Sequence, residues 1–270
     1  MIEENLKIYD EFRINNLKVY DYTIFLADNC EVLIIGKCNR TIFVPKKSLF
    51  IIEKNTSIDV VVRRVGNGHL YDFIHLSNEI IKSLQKIYDI NFGFNFNVLS
   101  KKRMLDDKIF LINTDGVELG IFKVLNNNES CKLNNIYGVA YLFSKVKNLD
   151  LIKYSLSINA VATFTERVRV IIEGDVGRKW RISDVAEILH LSEISIRKKL
   201  ELEGNAFNVL LLDVRMNAAF KYLIYENEYI EKIASKIAFS STSYFIKVFK
   251  EYYGITPKQL LVSFRGNMYF

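Results

Sequence analysis

The last third of the chain contains one helix–turn–helix pattern twice. The two copies are Ile182–Ser192 and Ile230–Ser240, and they align on Ala186 and Ala234. In each copy a β-branched residue precedes the alanine, apolar residues follow it at the third and fifth positions, and a serine comes next. A buried alanine lets two helices cross closely, and the flanking apolar side chains hold that crossing. This packing is typical of a pair that presents its second helix to the major groove of DNA.

The apolar spacing predicts a complete helical domain around these copies. The two units cover residues 182–202 and 230–250. In the first unit, Ser192 is placed to cap a second helix over Glu193–Leu202. A long helix over Phe207–Tyr225 joins the units and fixes the separation of their second helices. If both second helices face one side of a duplex, they lie one helical turn apart, about 34 Å.

Outward positions of the two second helices carry the predicted DNA contacts. Arginine bonds bidentately to a guanine edge, serine bonds to several bases, and isoleucine touches a thymine methyl group. Lys199 is predicted to contact phosphate. The basic run at 197–199 has an alternative as an ordinary solvated helix face, but its place in a duplicated unit favours the DNA contact. The predicted base-reading residues are Ile194, Ser195, Arg197, Lys198, Thr242, Ser243, Ile246 and Lys247.

The composition of the chain is compatible with DNA binding and favours a cytosolic protein. The chain has 270 residues, 50% of them hydrophobic, and a formal net charge of +6, which suits a nucleic-acid partner without proving one. Its three cysteines stand at no metal or redox spacing, as expected for reduced thiols in a cytosolic protein. No signal core and no apolar run of about 20 residues is present, so a cytoplasmic location without a membrane partner is expected.

The sequence pattern of the front half predicts short strands followed by helices. The chain as a whole is therefore predicted to have an α+β fold. Strands about ten residues apart favour an antiparallel sandwich or barrel. No glycine- or proline-rich linker marks a boundary, and we place it between a domain over 1–164 and a domain over 165–270. The appended helices either supply a homodimer seam or cover the sheet. Predicted strands are Leu17–Leu26, Glu31–Ile35, Arg40–Val44, Ser48–Ile52 and Ser57–Arg64; predicted helices begin after Ser77 and cover Val117–Val124, Leu133–Val146 and Asn148–Phe164.

The segment Ala238–Gln259, which reads AFSSTSYFIKVFKEYYGITPKQ, resembles the signature of AraC/XylS-family transcription regulators. The resemblance covers about 100 residues with both motifs. It implies a cupin-like regulatory barrel before the DNA-binding domain, base contacts at the positions given above, promoter DNA and RNA polymerase as partners, and gene activation. The chain departs from the family where Ala238 replaces a usual glycine, His190 a small residue, and Leu261 an arginine.

Three further segments resemble a narrower subgroup, the enteric virulence regulators of the Rns/ToxT type. They are Arg13–Thr23, Arg178–Trp180 and Ser192–Leu200. The resemblance implies a virulence regulator with a fatty-acid-like carboxylate between barrel and DNA-binding domain, held by basic side chains of the barrel. Tyr20 and His75 fall where relatives place the carboxylate-holding residues.

Lys18 and Arg64 are alternative cations for such an effector. A carboxylate site needs an apolar tunnel with one or two cations or hydrogen-bond donors. The alternative for Tyr20 and His75 is a structural role in the core. A bicarbonate-like anion, or a protein partner of the front half, are the other effector hypotheses that the sequence leaves open.

Catalysis is not expected from this sequence. His69, His75 and His190 lie far apart, and the chain has no HExxH, P-loop, GxSxG or Rossmann glycine pattern. No histidine cluster suggests a metal, so no metal and no cofactor beyond the anionic effector is predicted.

Overall fold

Two antiparallel sheets make up the strand-rich front of the chain. The computed structural model describes residues 11–36, 40–88, 103–127, 132–159, 162–226 and 228–265. One sheet has the strand order β1-β6-β3-β4 and the other β7-β2-β5-β8. The strands are β1 (Glu11–Val19), β2 (Thr23–Ala27), β3 (Cys30–Ile35), β4 (Thr41–Val44), β5 (Ser48–Ile52), β6 (Thr56–Arg64), β7 (Tyr71–His75) and β8 (Ile109–Leu111).

The predicted α+β class is confirmed, but the strands do not close into a barrel. In the described part of the chain, β1 and β4 are the edges of one sheet, and β7 and β8 are the edges of the other. A closed barrel would require these edge strands to pair. In β5 every residue from Leu49 to Ile52 is buried, so this strand is covered on both faces. The two-sheet arrangement matches the sandwich alternative of the prediction.

The predicted strand Leu17–Leu26 is wrong in its limits. It corresponds to β1 and β2, which are separate strands because the chain turns at residues 20–22. β1 also starts earlier, at Glu11, and passes through a bulge between Ile14 and Leu17. Asn16 takes a left-handed conformation there with φ of 56°, and its N–H donates to Asp59 Oδ1 at 2.8 Å. The bulge therefore lets β1 continue through Asn15 and Asn16, although asparagine is a residue type that is depleted in strands.

Four helices pack their apolar sides onto the second sheet. They share one core with Ile24, Leu49 and Ile51 of the strands, and Phe122, Leu142 and Leu156 belong to the helical side of that core. The hydroxyl of Ser77 accepts from the N–H of Ile80, the predicted N-cap of the first helix. The predicted helix Asn148–Phe164 is too long, because it ends at Ile158. The helices are α1 (Asn78–Ile87), α2 (Gly116–Asn126), α3 (Lys132–Ser144) and α4 (Leu149–Ile158).

A buried polar network crosses this core. Arg103 donates from Nη1 and Nη2 to the two carboxylate oxygens of Glu53, at 2.8 and 2.6 Å. Ser155 on α4 donates to Glu53 Oε2 at 2.6 Å, and its hydroxyl lies 2.6 Å from that of Tyr22. Burial, followed by the nearby Glu53 carboxylate, raises the pKa of Tyr22, so its phenol stays protonated. The network therefore ties the strand side of the core to α4.

Cys30 is buried at the start of β3, and its Sγ donates to the carbonyl oxygen of Leu70 at 3.2 Å. Burial raises the pKa of this thiol to about 12. The thiolate is the reactive form of cysteine, so Cys30 is an inert packing residue at neutral pH. The other two cysteines, Cys38 and Cys131, lie outside the described residues.

Seven helices follow in the described residues from 162 onward, and the chain divides into two units. The described residues within Met1–Ala160 and Val262–Phe270 form one unit, and those within Val161–Leu261 form the other, so the division falls inside the last helix. Among the described residues, no helix has the length and apolarity required to span a bilayer. The helices are α5 (Phe164–Glu173), α6 (Ile182–Leu189), α7 (Glu193–Leu202), α8 (Phe207–Ile224), α9 (Ile230–Lys236), α10 (Thr242–Tyr253) and α11 (Pro257–Arg265).

Candidate nucleic-acid interface

The first helix–turn–helix unit consists of α6 and α7 joined by a tight turn. His190 ends α6 in a left-handed conformation with φ of 52°, and the N–H of Leu191 donates to the carbonyl oxygen of Ala186 at 2.9 Å. Ser192 then caps α7 by accepting from the N–H of Ser195. Ala186 is buried at the crossing, as the pattern predicts. The left-handed residue ends α6 and redirects the chain, so only three residues, 190–192, separate α6 from α7.

The second unit, α9 and α10, repeats this geometry. Ala238 has φ of 59°, and the N–H of Phe239 donates to the carbonyl oxygen of Ala234 at 2.9 Å. Ser241 caps α10 by accepting from the N–H of Tyr244. Ala238 thus adopts the conformation that a glycine takes more easily. The alanine in place of the usual glycine therefore keeps a left-handed residue at this turn, at a higher cost in backbone energy.

Helix α8 is the shared scaffold of both units. Leu210 and Val214 on its first half pack in one cluster with Ile196 and Leu200 of α7. On its second half, the ring centroid of Phe220 lies 5.5 Å from that of Tyr253 on α10. Asp213, in the first half of α8, also accepts from the phenol of Tyr252 at 2.6 Å. One rod of 18 residues therefore holds both second helices, as the sequence predicts.

The exposed face of α7 carries the residues predicted to read the first half-site. Ile194 is 78% exposed, a large value for an isoleucine that supports no core. Arg197, Lys198 and Lys199 are exposed as well. Arg197 is loosely paired with Glu193 one turn earlier, at 3.4 Å, which aligns the guanidinium along the helix. Ser195 is half-buried, and its hydroxyl lies 2.9 Å from that of Ser192 at the cap.

The corresponding face of α10 combines polar and apolar residues. Ser243 and Lys247 are exposed, whereas Thr242 and Ile246 are half-buried. Lys247 Nζ lies 3.9 Å from a carboxylate oxygen of Glu251, and both side chains are more than half exposed. A pair this exposed contributes little to stability, so Lys247 is available to a stronger anion. The predicted contact residues of both second helices therefore include exposed cations, and Phe245 and Phe249 are fully buried behind them.

Basic residues also flank the start of α6. Arg178 stacks over the ring of Trp180, 4.4 Å from its centroid, and donates to Asp184 at 2.7 Å. The backbone N–H of Arg181, together with the guanidinium of Arg178, holds the pKa of Asp184 below its usual range. Asp184 therefore stays ionised and neutralises part of this cluster. Lys179 and Arg181 are exposed beside it, where the first helix of such a unit crosses the DNA backbone.

Sequence reasoning missed Tyr244, which is 56% exposed near the start of α10. The predicted contact residues on this helix were Thr242, Ser243, Ile246 and Lys247, and Tyr244 between them was not assigned a role. The signal that reveals it is the cap: Ser241, and not Ser240, is the N-cap of α10. Counted from the caps, Tyr244 takes the position that Ser195 has in α7.

The structure does not bring the four predicted effector residues into one group. Lys18 pairs with Ser57 near the start of β6, whereas Arg64 ends that strand, which puts the two roughly 23 Å apart at the rise of a strand. Tyr20 and His75 lie at the Lys18 end, where the Thr23 hydroxyl is 2.9 Å from His75 Nδ1. A single carboxylate cannot contact both ends of a strand, so Lys18 and Arg64 remain alternatives for the cation.

Arg64 and His75 also differ in their surroundings. Arg64 Nη1 donates to the carbonyl oxygen of Gly68, and its Nη2 donates to those of Ser263 and Phe264, at 3.1 to 3.2 Å. His75 is exposed, and Tyr20 is half-buried. An anion at Arg64 would compete with three backbone carbonyls, whereas the Lys18 end combines a cation, a phenol and an imidazole. Among the described residues, no group of histidine, cysteine and carboxylate side chains is arranged to hold a metal.

This arrangement defines a class: a bipartite DNA-binding protein in which one helix carries two helix–turn–helix units. Residues 185–262 match the family model described as a helix-turn-helix domain. The chain is 38% identical to the HTH-type transcriptional activator FapR of Escherichia coli, over 95% of this chain and 98% of the relative. It is 33% identical to the virulence regulon transcriptional activator VirF of Shigella flexneri, over 90% of this chain and 92% of the relative.

The chain belongs to the AraC/XylS family of transcription regulators. Its fold resembles that of ToxT from Vibrio cholerae, solved at 1.65 Å, with a TM-score of 0.67, 24% identity and 96% of each chain covered. A ToxT structure with an unsaturated fatty acid bound gives a TM-score of 0.64 at 19% identity, covering 98% of this chain and 95% of ToxT. The family and the Rns/ToxT-type fold expected from the sequence are thus confirmed.

Proposed function

We propose that this chain is a sequence-specific activator of virulence genes whose activity is controlled by a small anionic effector. DNA binding is supported by the helix–turn–helix arrangement that occurs in α6–α7 and again in α9–α10. The second helix of each unit has exposed cations, and both second helices pack on α8. Residues 165–270 are the proposed DNA-binding domain and residues 1–164 the regulatory domain. Promoter DNA is the proposed partner, with RNA polymerase bound nearby in the cytoplasm.

Activation of virulence genes is supported by the relatives. VirF is named as an activator of a virulence regulon and is 33% identical across nearly all of both chains. FapR, at 38% identity, is also named as an activator. The test is a reporter assay in which the promoter carries a duplex selected by this chain from a random library. Increased transcription supports activation, and decreased transcription would mean that the chain represses.

Arg197 and Lys199 should differ in the kind of DNA contact they make. Arg197 lies on the exposed face of α7 that we propose enters the groove, so Arg197→Ala is expected to cost about 1–3 kcal/mol on the selected duplex and to relax base preference at one position. Lys199→Ala is expected to weaken all sequences alike and to reduce the salt slope by about one unit. Gel-shift titrations at several salt concentrations measure both effects.

Glu201→Ala, an exposed change on the same helix, is the control for these substitutions. The proposal for Arg197 is wrong if its variant keeps the base preference of the parent chain. The proposal for Lys199 is wrong if the slope of affinity against salt does not change. Lys199 Nζ also lies 5.6 Å from the centroid of the Phe164 ring, so a stability measurement must accompany its binding curve.

For the effector we propose a fatty acid, with Tyr20, His75, Lys18 and Arg64 as the candidates for its carboxylate. The support is the fatty acid in the ToxT structure, a protein that shares this fold at low identity. The separation of the candidates favours Lys18, Tyr20 and His75 as one group and Arg64 as an independent position. The helices of the front half are further proposed to supply a homodimer seam.

Mass spectrometry of small molecules released from the native protein tests the effector most directly. A co-purified acyl chain, with a rise in melting temperature on adding an unsaturated fatty acid, supports the proposal. If bicarbonate stabilises the chain and the fatty acid does not, the effector is a small anion. If neither compound stabilises the chain, the front half is expected to bind a protein partner instead. Lys18→Ala and Arg64→Ala then show which end of the strand binds the effector.

A further inference from the structure

The two helix–turn–helix units differ by one residue in the turn. Ala186 and Ala234 are related by the same shift as the left-handed His190 and Ala238. The N-caps, Ser192 and Ser241, are one residue further apart than this shift. The second turn therefore contains an additional residue, Ser240, and the reading face of α10 must be counted from its own cap.

The buried residues confirm this count. Ile196 and Leu200 are buried in α7, and the residues at the same distance from the cap in α10 are Phe245 and Phe249, which are also buried. On this count Ile246 matches Arg197. Lys247 matches Lys198, so both second helices carry a lysine at this position. The position of Ser195 is then occupied by Tyr244.

Tyr244 reaches further from the helix than its counterpart. Ser195 turns its hydroxyl back to the cap, 2.9 Å from that of Ser192. Tyr244 is 56% exposed, although its neighbour Phe245 is fully buried. Its ring packs against Phe239 with centroids 5.7 Å apart and planes tilted by 41°. Phe239 lies in the turn, so the phenol is held near the turn and its entropy is reduced before any partner binds.

This placement selects the DNA backbone as the partner. In a helix–turn–helix unit, the N-terminal residues of the second helix approach the DNA, and the first helix crosses the phosphate backbone. A side chain that leans from the second helix toward the turn therefore points to the strand at the rim of the groove. A phenol is one of the neutral side chains that donate to phosphate oxygens in protein–DNA complexes.

We propose that Tyr244 donates its phenolic O–H to a phosphate oxygen beside the second half-site and thereby fixes the position of α10 in the groove. The proposal rests on the proposed function of α10 as a DNA-reading helix. In this proposal Tyr244 positions α10 on the DNA and does not itself recognise a base. Because the first unit has only Ser195 at this position, the contact is made by one of the two units.

The test is Tyr244→Phe in the full chain, which removes the hydroxyl and keeps the ring on Phe239. On the selected duplex, affinity should fall about 10-fold, the effect of losing one hydrogen bond to a charged group. The same loss should occur on duplexes with single changes in the second half-site, so the order of base preference stays as it was. Tyr225→Phe, at a tyrosine directly after α8 that is 49% exposed, is the matched control and should bind like the parent chain.

Each other outcome contradicts part of the account in a distinguishable way. Equal affinities of Tyr244→Phe and the parent chain would overturn the proposed contact. A loss that disappears when one base pair is changed would make Tyr244 a base-reading residue and overturn the phosphate assignment. If the parent chain selects no duplex at all, the proposed DNA-reading role of α10 fails, and the role of Tyr244 fails with it.

Discussion

Phe249→Ala is expected to lower the free energy of unfolding of the second helix–turn–helix unit by about 3–5 kcal/mol. Phe249 is fully buried, and its ring centroid lies 5.6 Å from that of Phe245 and 4.8 Å from that of Tyr253. Removing the ring opens a cavity on the buried side of α10, beside Phe245 and Tyr253. Hydrogen exchange of the full chain, read by mass spectrometry, should show lost protection concentrated in α9 and α10.

The control for Phe249 is Lys250→Ala, the next residue on α10, which is exposed. It should leave exchange protection unchanged. DNA footprinting tests the consequence for binding. The Phe249→Ala variant should no longer protect one half-site of the DNA and should still protect the other. If exchange rises equally through α6 and α7, or if both half-sites disappear together, the expected local effect of Phe249→Ala is wrong.

Arg103→Met is expected to lower the free energy of unfolding of the front half by about 3–5 kcal/mol, because it leaves a buried carboxylate without its cation. The Glu53 side chain is 4% exposed and that of Arg103 is 12% exposed. Both oxygens of Glu53 accept from the guanidinium at hydrogen-bond distance. Urea unfolding followed by circular dichroism, with hydrogen exchange to locate the change, measures the effect.

A second substitution separates the charge from the packing. Glu53→Gln with Arg103→Met removes the buried charge and keeps a carbonyl acceptor for the hydroxyl of Ser155. The double variant should recover a large part of the lost stability, because a neutral pair carries no uncompensated ion. If Arg103→Met unfolds within about 1 kcal/mol of the parent chain, the Glu53–Arg103 pair is not the link between strands and α4 that its geometry indicates.

Local signals in the sequence were sufficient for most of the helical half. Ser192 as the N-cap, with apolar residues at spacings of three and four, predicts α7 to the residue, because caps and amphipathic faces depend on neighbours in sequence. The one-residue difference between the two turns was not predicted. Ser240 and Ser241 are both good caps, and only the backbone conformation decides between them.

The strand half shows where such signals fail. β7 and β8 were not predicted as strands, since Tyr71–His75 and Ile109–Leu111 are short and gain stability from pairing with distant β2 and β5. The distance between the two alternative effector cations could not be predicted for the same reason. Lys18 and Arg64 are similar cations in sequence, and only the register of β1 on β6 places them at opposite ends.

The central claim is that α7 and α10 enter successive major grooves on one face of a duplex. The direct measurement is the affinity of the full chain for its selected duplex, with half-sites located by footprinting, before and after five base pairs are inserted between them. The insertion turns one half-site by about half a helical turn. The account predicts a loss of about 100-fold, which a ten-base-pair insertion does not restore because α8 fixes the separation of the two second helices. Equal affinity for the original and five-base-pair duplexes would contradict it.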